Sequence, residues 1–318
     1  MTPQGRFVLT RAADFLDLCR MPKNLSRFFP WAALVASVCL WGVSFIFTKL
    51  LLAELPAVTI AWFRLGPALL VLGALMWRRK ETLSVSKGDF AKLVLAACFG
   101  IVLYMVLENN GLRFTSASTA SLLVASIPIF VLIVEALVRR QSLPAVQFLA
   151  IGVSLVGVWL VLFNGLIPRG RAGMLGNLMI LGAMASWIVY TFVSRDLGLR
   201  YSGLKQTTLQ SFLALVLYLP FLFGDFPKWR PVPWSSVLEL LFLGIFCSGL
   251  AYVGYLYAIN KLGTVIPSAF LNLIPVVTVL SAWLILKETP GTGQFIGAIL
   301  VITSLLGLTR LTRPRTGS

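Results

Sequence analysis

Ten stretches of about 20 mostly apolar residues follow one another along the chain, and every gap between them is short. They fall at 31–53, 56–77, 90–112, 116–138, 144–163, 174–194, 205–223, 235–259, 264–286 and 290–310. A helix needs roughly 20 such residues to cross the ~30 Å hydrocarbon core of a bilayer. Only structures that pair every backbone polar group internally survive there. The expected fold is therefore an all-α integral membrane protein with ten transmembrane helices. Composition agrees, since 58% of the 318 residues are hydrophobic and only 12% are charged. A soluble domain is about a quarter charged, so a water-soluble enzyme, a disordered chain and a disulfide scaffold are excluded. The gaps carry turn residues, as at Arg78–Glu81 and Pro227–Pro233, and leave no room for a soluble domain.

The formal charge of +16 is confined almost entirely to those gaps. That placement points to orientation in a bilayer rather than to nucleic acid. With the N-terminus on the inside, nineteen Lys and Arg face the cytoplasm and six face out, while Lys49 and Arg64 lie within spans. Both termini are thus expected in the cytoplasm, in a plasma or inner membrane. Residues 1–30 read as a cytoplasmic tail. Leu9, Ala13 and Leu16 stand at helical spacing among Arg6, Arg11 and Arg20, so a short surface helix and an unstructured tail both remain open. There is no His, and the four cysteines have no CxxC spacing. No metal and no cofactor is expected.

The chain repeats itself. At a shift of 147, Ser121 falls on Ser268, Ile127-Pro128 on Ile274-Pro275 and Gln147-Phe148 on Gln294-Phe295. At a shift of 146, Trp41 falls on Trp187 and Lys49 on Arg195. The copies are residues 31–163 and 174–311, with five spans each. Five is odd, so the second copy enters the membrane from the opposite side. Two inverted repeats are a common plan among secondary transporters, with the binding site between them at the midplane.

The ordered motifs resemble a known family. In the first half they are Trp41-Gly42-Val43-Ser44-Phe45 running to Lys49, Pro56, Ala61-Trp62-Phe63-Arg64, the run Gly111–Ser118, and Ile127-Pro128. In the second half they are the run Tyr257–Gly263, Ile274-Pro275, Leu286-Lys287-Glu288 and Gln294 onward. Each half is similar to an EamA domain of the drug/metabolite transporter superfamily, and the resemblance covers roughly residues 31–311. It implies a ten-helix carrier with a central cavity, moving small organic solutes such as amino acids, metabolites or drugs, often outward. The family often carries an acidic residue after span four. Here Gln141 stands in that place, and Glu288 is present only in the second copy.

Charges inside the hydrocarbon usually face a cavity or a partner. Arg64 lies eight residues past Pro56, or ~12 Å into the membrane at 1.5 Å per residue. Lys49 and Glu108 lie toward the same end of spans one and three. Glu108 can neutralise either cation and leave a positive charge for an anionic group on the cargo, or bind and release a proton as the coupling ion. Paired packing charges and a snorkelling Lys49 are the structural alternatives. Glu135 pairs with Arg139 and Arg140 at helical spacing. Pro128 and Pro275 interrupt spans four and nine and remove a backbone bond in each. Ser121, Ser126, Ser268 and Asn272 precede them and offer hydrogen bonds to cargo or to neighbouring helices. Trp41, Tyr104, Trp187, Tyr190 and Tyr252 are the aromatic candidates for an organic pocket, with Phe45 and Tyr255 also inside spans. Trp31, Trp77, Trp229 and Trp234 sit at span ends, as an interface belt does. Gly293 and Gly297 form a GxxxG that serves internal packing or a dimer face, so monomer and homodimer stay open.

No nucleophile–base pair, GxSxG motif or carboxylate cluster supports an intramembrane enzyme. The reading is a secondary transporter for a small organic solute in a lipid bilayer, exporting by alternating access. The alternative is a passive, channel-like permease without proton coupling.

Overall fold

The computed structural model describes residues 23–139, 171–226, 231–263, 265–271, 273–287 and 291–311, with isolated positions between 149 and 160 and at 229 and 289. Most of the fifth expected span, the Leu9–Leu16 segment, Arg140, Gln141, Asn272 and Glu288 lie outside the described residues, as does the side chain of Glu135. Among the described residues the spans are all helical, joined by turns and short extended links, without strands.

Span one is Lys23–Leu51, a helix that starts ahead of its apolar run. Span two is Ala57–Arg79 and span three Lys87–Phe114. Span four is built of Ala117–Val124 and Ile127–Arg139. In the second half, span six is Arg171–Gly198 and span seven Gly203–Leu217 with Leu219–Leu222. Span eight is Trp234–Leu262, span nine Val265–Phe270 with Leu273–Ser281 and Ala282–Leu286, and span ten Thr292–Leu311.

Local chemistry sets the ends. Ser86, Ser116 and Ser202 each cap a helix start by accepting from the backbone N–H three residues on, at 3.2, 3.0 and 3.1 Å. Gly263 closes span eight at φ +79°, a conformation that a side chain disfavours.

The interruptions recur in matching places. Spans three and eight each contain a stretch of π-helix, Cys98–Leu103 and Leu243–Leu250. Spans four and nine each break just before the Ile-Pro pair. The prolines therefore sit in the first turn of a new helix, where a missing N–H costs nothing. The break, rather than the proline ring, is the irregular element.

Contacts between spans obey the same exchange. Span one packs on eight and nine, and span six packs on three and four. Span two packs on eight, and span seven on three; two meets seven and four meets nine. Direction follows from the ends. Lys49, near the end of span one, donates to the carbonyls of Leu112 and Thr115 at the end of span three. Thr115 donates to Asn177, near the start of span six. At the other face Ser86, before span three, meets Tyr201, after span six. Span six thus runs opposite to spans one and three, and the second repeat is inverted.

Glycine lets the halves approach where the backbone is irregular. A Cβ on Gly244 would stand 2.6 Å from the Arg64 carbonyl oxygen and 2.9 Å from Pro67 Cβ. Gly73 has nothing within 4 Å. Gly244→Ala should destabilise the folded protein by about 1–3 kcal/mol, while Gly73→Ala leaves it unchanged or slightly raised. Thermal unfolding of the purified protein in detergent checks this, and equal midpoints for the two variants would refute the close approach.

Candidate solute-binding site

The two tryptophans related by the repeat meet at the centre. Trp41 and Trp187 pack edge to face with ring centroids 5.4 Å apart. Each also holds a tyrosine of the other half: Tyr104 lies 5.0 Å from Trp187 and Tyr252 lies 5.3 Å from Trp41. Edge-to-face and tilted arrangements suit the quadrupoles of such rings.

The irregular backbone beside them accepts side-chain bonds from the opposite half. A π-turn shifts carbonyls off the helical ladder, and in hydrocarbon each must find another donor. Ser186 donates to the Phe99 carbonyl at 2.6 Å and Tyr252 to that of Gly100 at 3.2 Å. The Tyr218 hydroxyl reaches the carbonyls of Ile101 and Val102 at 3.0 and 3.2 Å. All three donors belong to the second half. In the mirror arrangement, Trp41 Nε1 of the first half donates to the Cys247 carbonyl at 3.0 Å.

Around these rings lies a small, partly open cavity. Trp41, Tyr104, Trp187 and Tyr252 line it together with Arg64 and Glu108. Ser44, Phe45, Met105 and the pairs Val124, Ile127 and Leu271, Ile274 complete the wall. The last two pairs are repeat mates bracketing the breaks in spans four and nine.

Arg64 occupies the joint between Ala57–Phe63 and Leu65–Arg79 and is only 3% exposed. Pro67 explains the joint, because it cannot donate to the carbonyl four residues back. Arg64 Nε donates to Ser248 Oγ at 2.6 Å. Its two Nη groups make no hydrogen bond among the described residues. Glu108 is buried, and Oε1 accepts from the Tyr104 hydroxyl at 2.7 Å. Arg64 and Glu108 face the same cavity without forming an ion pair with each other. A buried cation with free donors and a buried carboxylate therefore stand apart in one aromatic chamber.

The other candidates sit elsewhere. Lys49 holds the carbonyl end of span three, where a cation complements the helix dipole, and it does not line the cavity. Ser121 and Ser126 donate to backbone carbonyls of their own helix, Ser118 and Leu123. Tyr190 packs 4.9 Å from Trp187, one layer beyond the cavity wall. Pro275 is buried beside the lining Ile274, and Pro128 follows the lining Ile127. Ser248, which holds Arg64, and Ser44 went unread in the sequence. A lone serine in an apolar span carries no signal of its own, although Ser44 follows Trp41 by one helical turn.

The sequence profile of the EamA-like transporter family matches residues 29–163 and again 174–310. The chain belongs to the EamA-like transporter family. An uncharacterized transporter of Archaeoglobus fulgidus is 27% identical over 86% of this chain and 94% of its own length. A probable terminal-alkyne amino-acid exporter of Streptantibioticus cattleyicolor is 26% identical over 71% of this chain and 75% of its own. A protein of known crystal structure superposes with a TM-score of 0.66 at 16% identity, covering 92% of this chain and 99% of its own; that likeness is one of fold. The EamA repeat and the repeated breaks thus describe the same two units.

Tyr218→Phe would leave the Ile101 and Val102 carbonyls unbonded within the span. It should cost about 1–3 kcal/mol of stability, read as a lower melting temperature. An unchanged melting temperature would mean that these carbonyls do not depend on the tyrosine.

Proposed function

We propose that this EamA-family protein is a secondary carrier that exports a zwitterionic solute of the amino-acid type by alternating access. The observation that carries the reading is the pairing of free Arg64 Nη donors with a separate buried Glu108 in one aromatic cavity. A carboxylate suits a guanidinium fork. An ammonium suits Glu108 and the faces of Trp41, Trp187, Tyr104 and Tyr252. The related exporter's name supports the same solute class and direction. The excess of Lys and Arg in the gaps supports cytoplasmic termini.

Glu108 is also the proposed coupling group. A carboxylate that faces the solute ammonium in one state and holds a proton in the next exchanges one for the other. Two inverted repeats supply the alternation, because each half can adopt the other's shape and open the cavity to the opposite side.

A ligand that binds only the folded protein raises its apparent stability. Thermal unfolding with a panel of amino acids and their carboxamide analogues should show stabilisation by free carboxylates. Arg64→Gln should weaken that effect by about 2 kcal/mol or more, roughly thirtyfold in affinity. Equal stabilisation by acid and carboxamide would overturn the assignment of Arg64. In proteoliposomes, Glu108→Gln should remove the dependence of solute flux on an imposed pH gradient. A variant that keeps that dependence would eliminate Glu108 as the coupling site. Saturable flux competed by unlabelled solute is expected of a carrier, whereas current far above carrier turnover would favour a channel.

A further inference from the structure

A second polar feature lies deeper than the cavity, toward the face that holds the 80–92 and 196–205 segments. Tyr190 and Ser194 follow Trp187 along span six. Gln206, Thr207, Gln210 and Ser211 lie in the first turns of span seven. All six are at most 1% exposed. On span seven they form one stripe, while Phe212 and Val216 on another face are 56% and 49% exposed to the surroundings.

Polar side chains between membrane helices normally hydrogen-bond across the contact. Here they do not. Gln206 Oε1, Thr207 Oγ1, Gln210 Oε1, Ser211 Oγ and Tyr190 Oη have no partner of good geometry among the described residues. Gln210 Nε2 reaches Ser194 Oγ only at 3.5 Å. An unsatisfied buried polar group is costly, so a stripe of them is poorly explained as packing glue. It is well explained as the wall of a hydrophilic passage in its collapsed state.

The stripe ends at a closure. Gln206 Nε2 donates to the Tyr201 carbonyl at 3.3 Å. The Tyr201 hydroxyl donates to Asp89 Oδ2 at 2.8 Å, and Arg200 Nη1 to Asp89 Oδ1 at 2.6 Å. Lys92 pairs with Asp196. Ser202 donates to Glu81 at 2.5 Å, and Lys205 Nζ to the Ser84 carbonyl at 2.6 Å. Apart from the Gln206 bond, each of these joins the first repeat to the second. The Asp89 carboxylate also accepts from Ser86 Oγ at 2.7 Å, and its side chain is 4% exposed, so its bonds to Arg200 and Tyr201 are sheltered.

We propose that the span-six and span-seven stripe is the closed half of the solute path and that the Asp89–Arg200–Tyr201 cluster is the latch that holds it shut. The inference rests on the carrier reading above. Its test needs no solute, so failure here leaves the Arg64 site standing.

Thr207→Cys is placed in the full chain in membrane vesicles of both orientations. A membrane-impermeant cationic methanethiosulfonate is applied, and mass spectrometry reads the label at that residue. Asp89→Asn should speed labelling of Thr207→Cys, from the Arg200 side only, by about tenfold or more as the population shifts toward the open form. Phe212→Cys, on the outer face of the same helix, should not change. Arg200→Gln should act in the same direction. Its side chain is 54% exposed, so it serves even where Asp89→Asn fails to fold. The proposal is overturned if labelling of Thr207→Cys stays constant in the folded latch variants, or if Phe212→Cys accelerates equally.

Discussion

A helix that breaks inside hydrocarbon must hand its freed carbonyls to another donor, and the centre of this protein is organised by that demand. The π-stretch of span three exposes four successive carbonyls, and Ser186, Tyr252 and Tyr218 cover them. In span eight, Trp41 covers the Cys247 carbonyl in turn. The donors come from the opposite repeat in both cases. These bonds cross between the repeats, so the demand for hydrogen bonds ties the two halves together. The same donors line the cavity or stand beside it. Backbone satisfaction and the shape of the binding chamber are therefore one problem with one set of side chains.

Symmetry explains where the chamber is, and its violation gives the chamber a polarity. The rings Trp41, Trp187, Tyr104 and Tyr252 come from both halves in matching roles. The charges do not: Arg64 and Glu108 both belong to the first repeat. A fully symmetric site would present equal chemistry to both sides of the membrane and would give a two-ended solute no preferred pose. Placing the cation and the carboxylate in one half, apart from each other, gives the chamber a direction while the ring frame stays two-fold. Glu108 is held by Tyr104 and Arg64 by Ser248, so each group is oriented without an ion pair between the two.

Much of this was legible in the sequence, for physical reasons. Twenty-residue apolar runs have one solution in a bilayer, so the spans were readable, and a shared shift for Ile-Pro and Trp revealed the repeat. The sequence offers Trp41, Tyr104, Trp187 and Tyr252 as aromatic candidates, and the fold sets all four in the cavity wall. What stayed hidden depends on pairwise geometry. Lys49 reads as a site charge because its depth resembles that of Arg64. Only the fold brings the end of span three to it as a set of carbonyls. Ser121 and Ser126 looked like cargo donors, but a serine can satisfy itself on its own helix, and these do. The joint at Arg64 had a signal in Pro67, three residues on. Gln206, Thr207, Gln210 and Ser211 form a plain helical stripe, yet a stripe alone does not distinguish a helix contact from a passage. Their missing partners make that distinction.

The chamber and the proposed latch are mechanically connected through two spans. Trp187 lines the cavity and packs on Tyr190, and the Tyr190 ring fills the space that a side chain on Gly100 would need. The Gly100 carbonyl accepts from Tyr252, another lining residue. On the proposed reading, a solute that displaces Trp187 acts on the contact between spans three and six, and one that displaces Tyr252 acts on the contact between spans three and eight. Those two spans end in the residues of the closure: Asp89 and Lys92 stand in the first turns of span three, and Asp196 lies near the end of span six, just before Arg200. Tightly packed interfaces shift between discrete arrangements rather than deforming smoothly. On the proposed reading, occupancy of the chamber biases the latch because both are set by the angle between the same pair of helices. Gly100 is the point at which any added side chain would fix that angle.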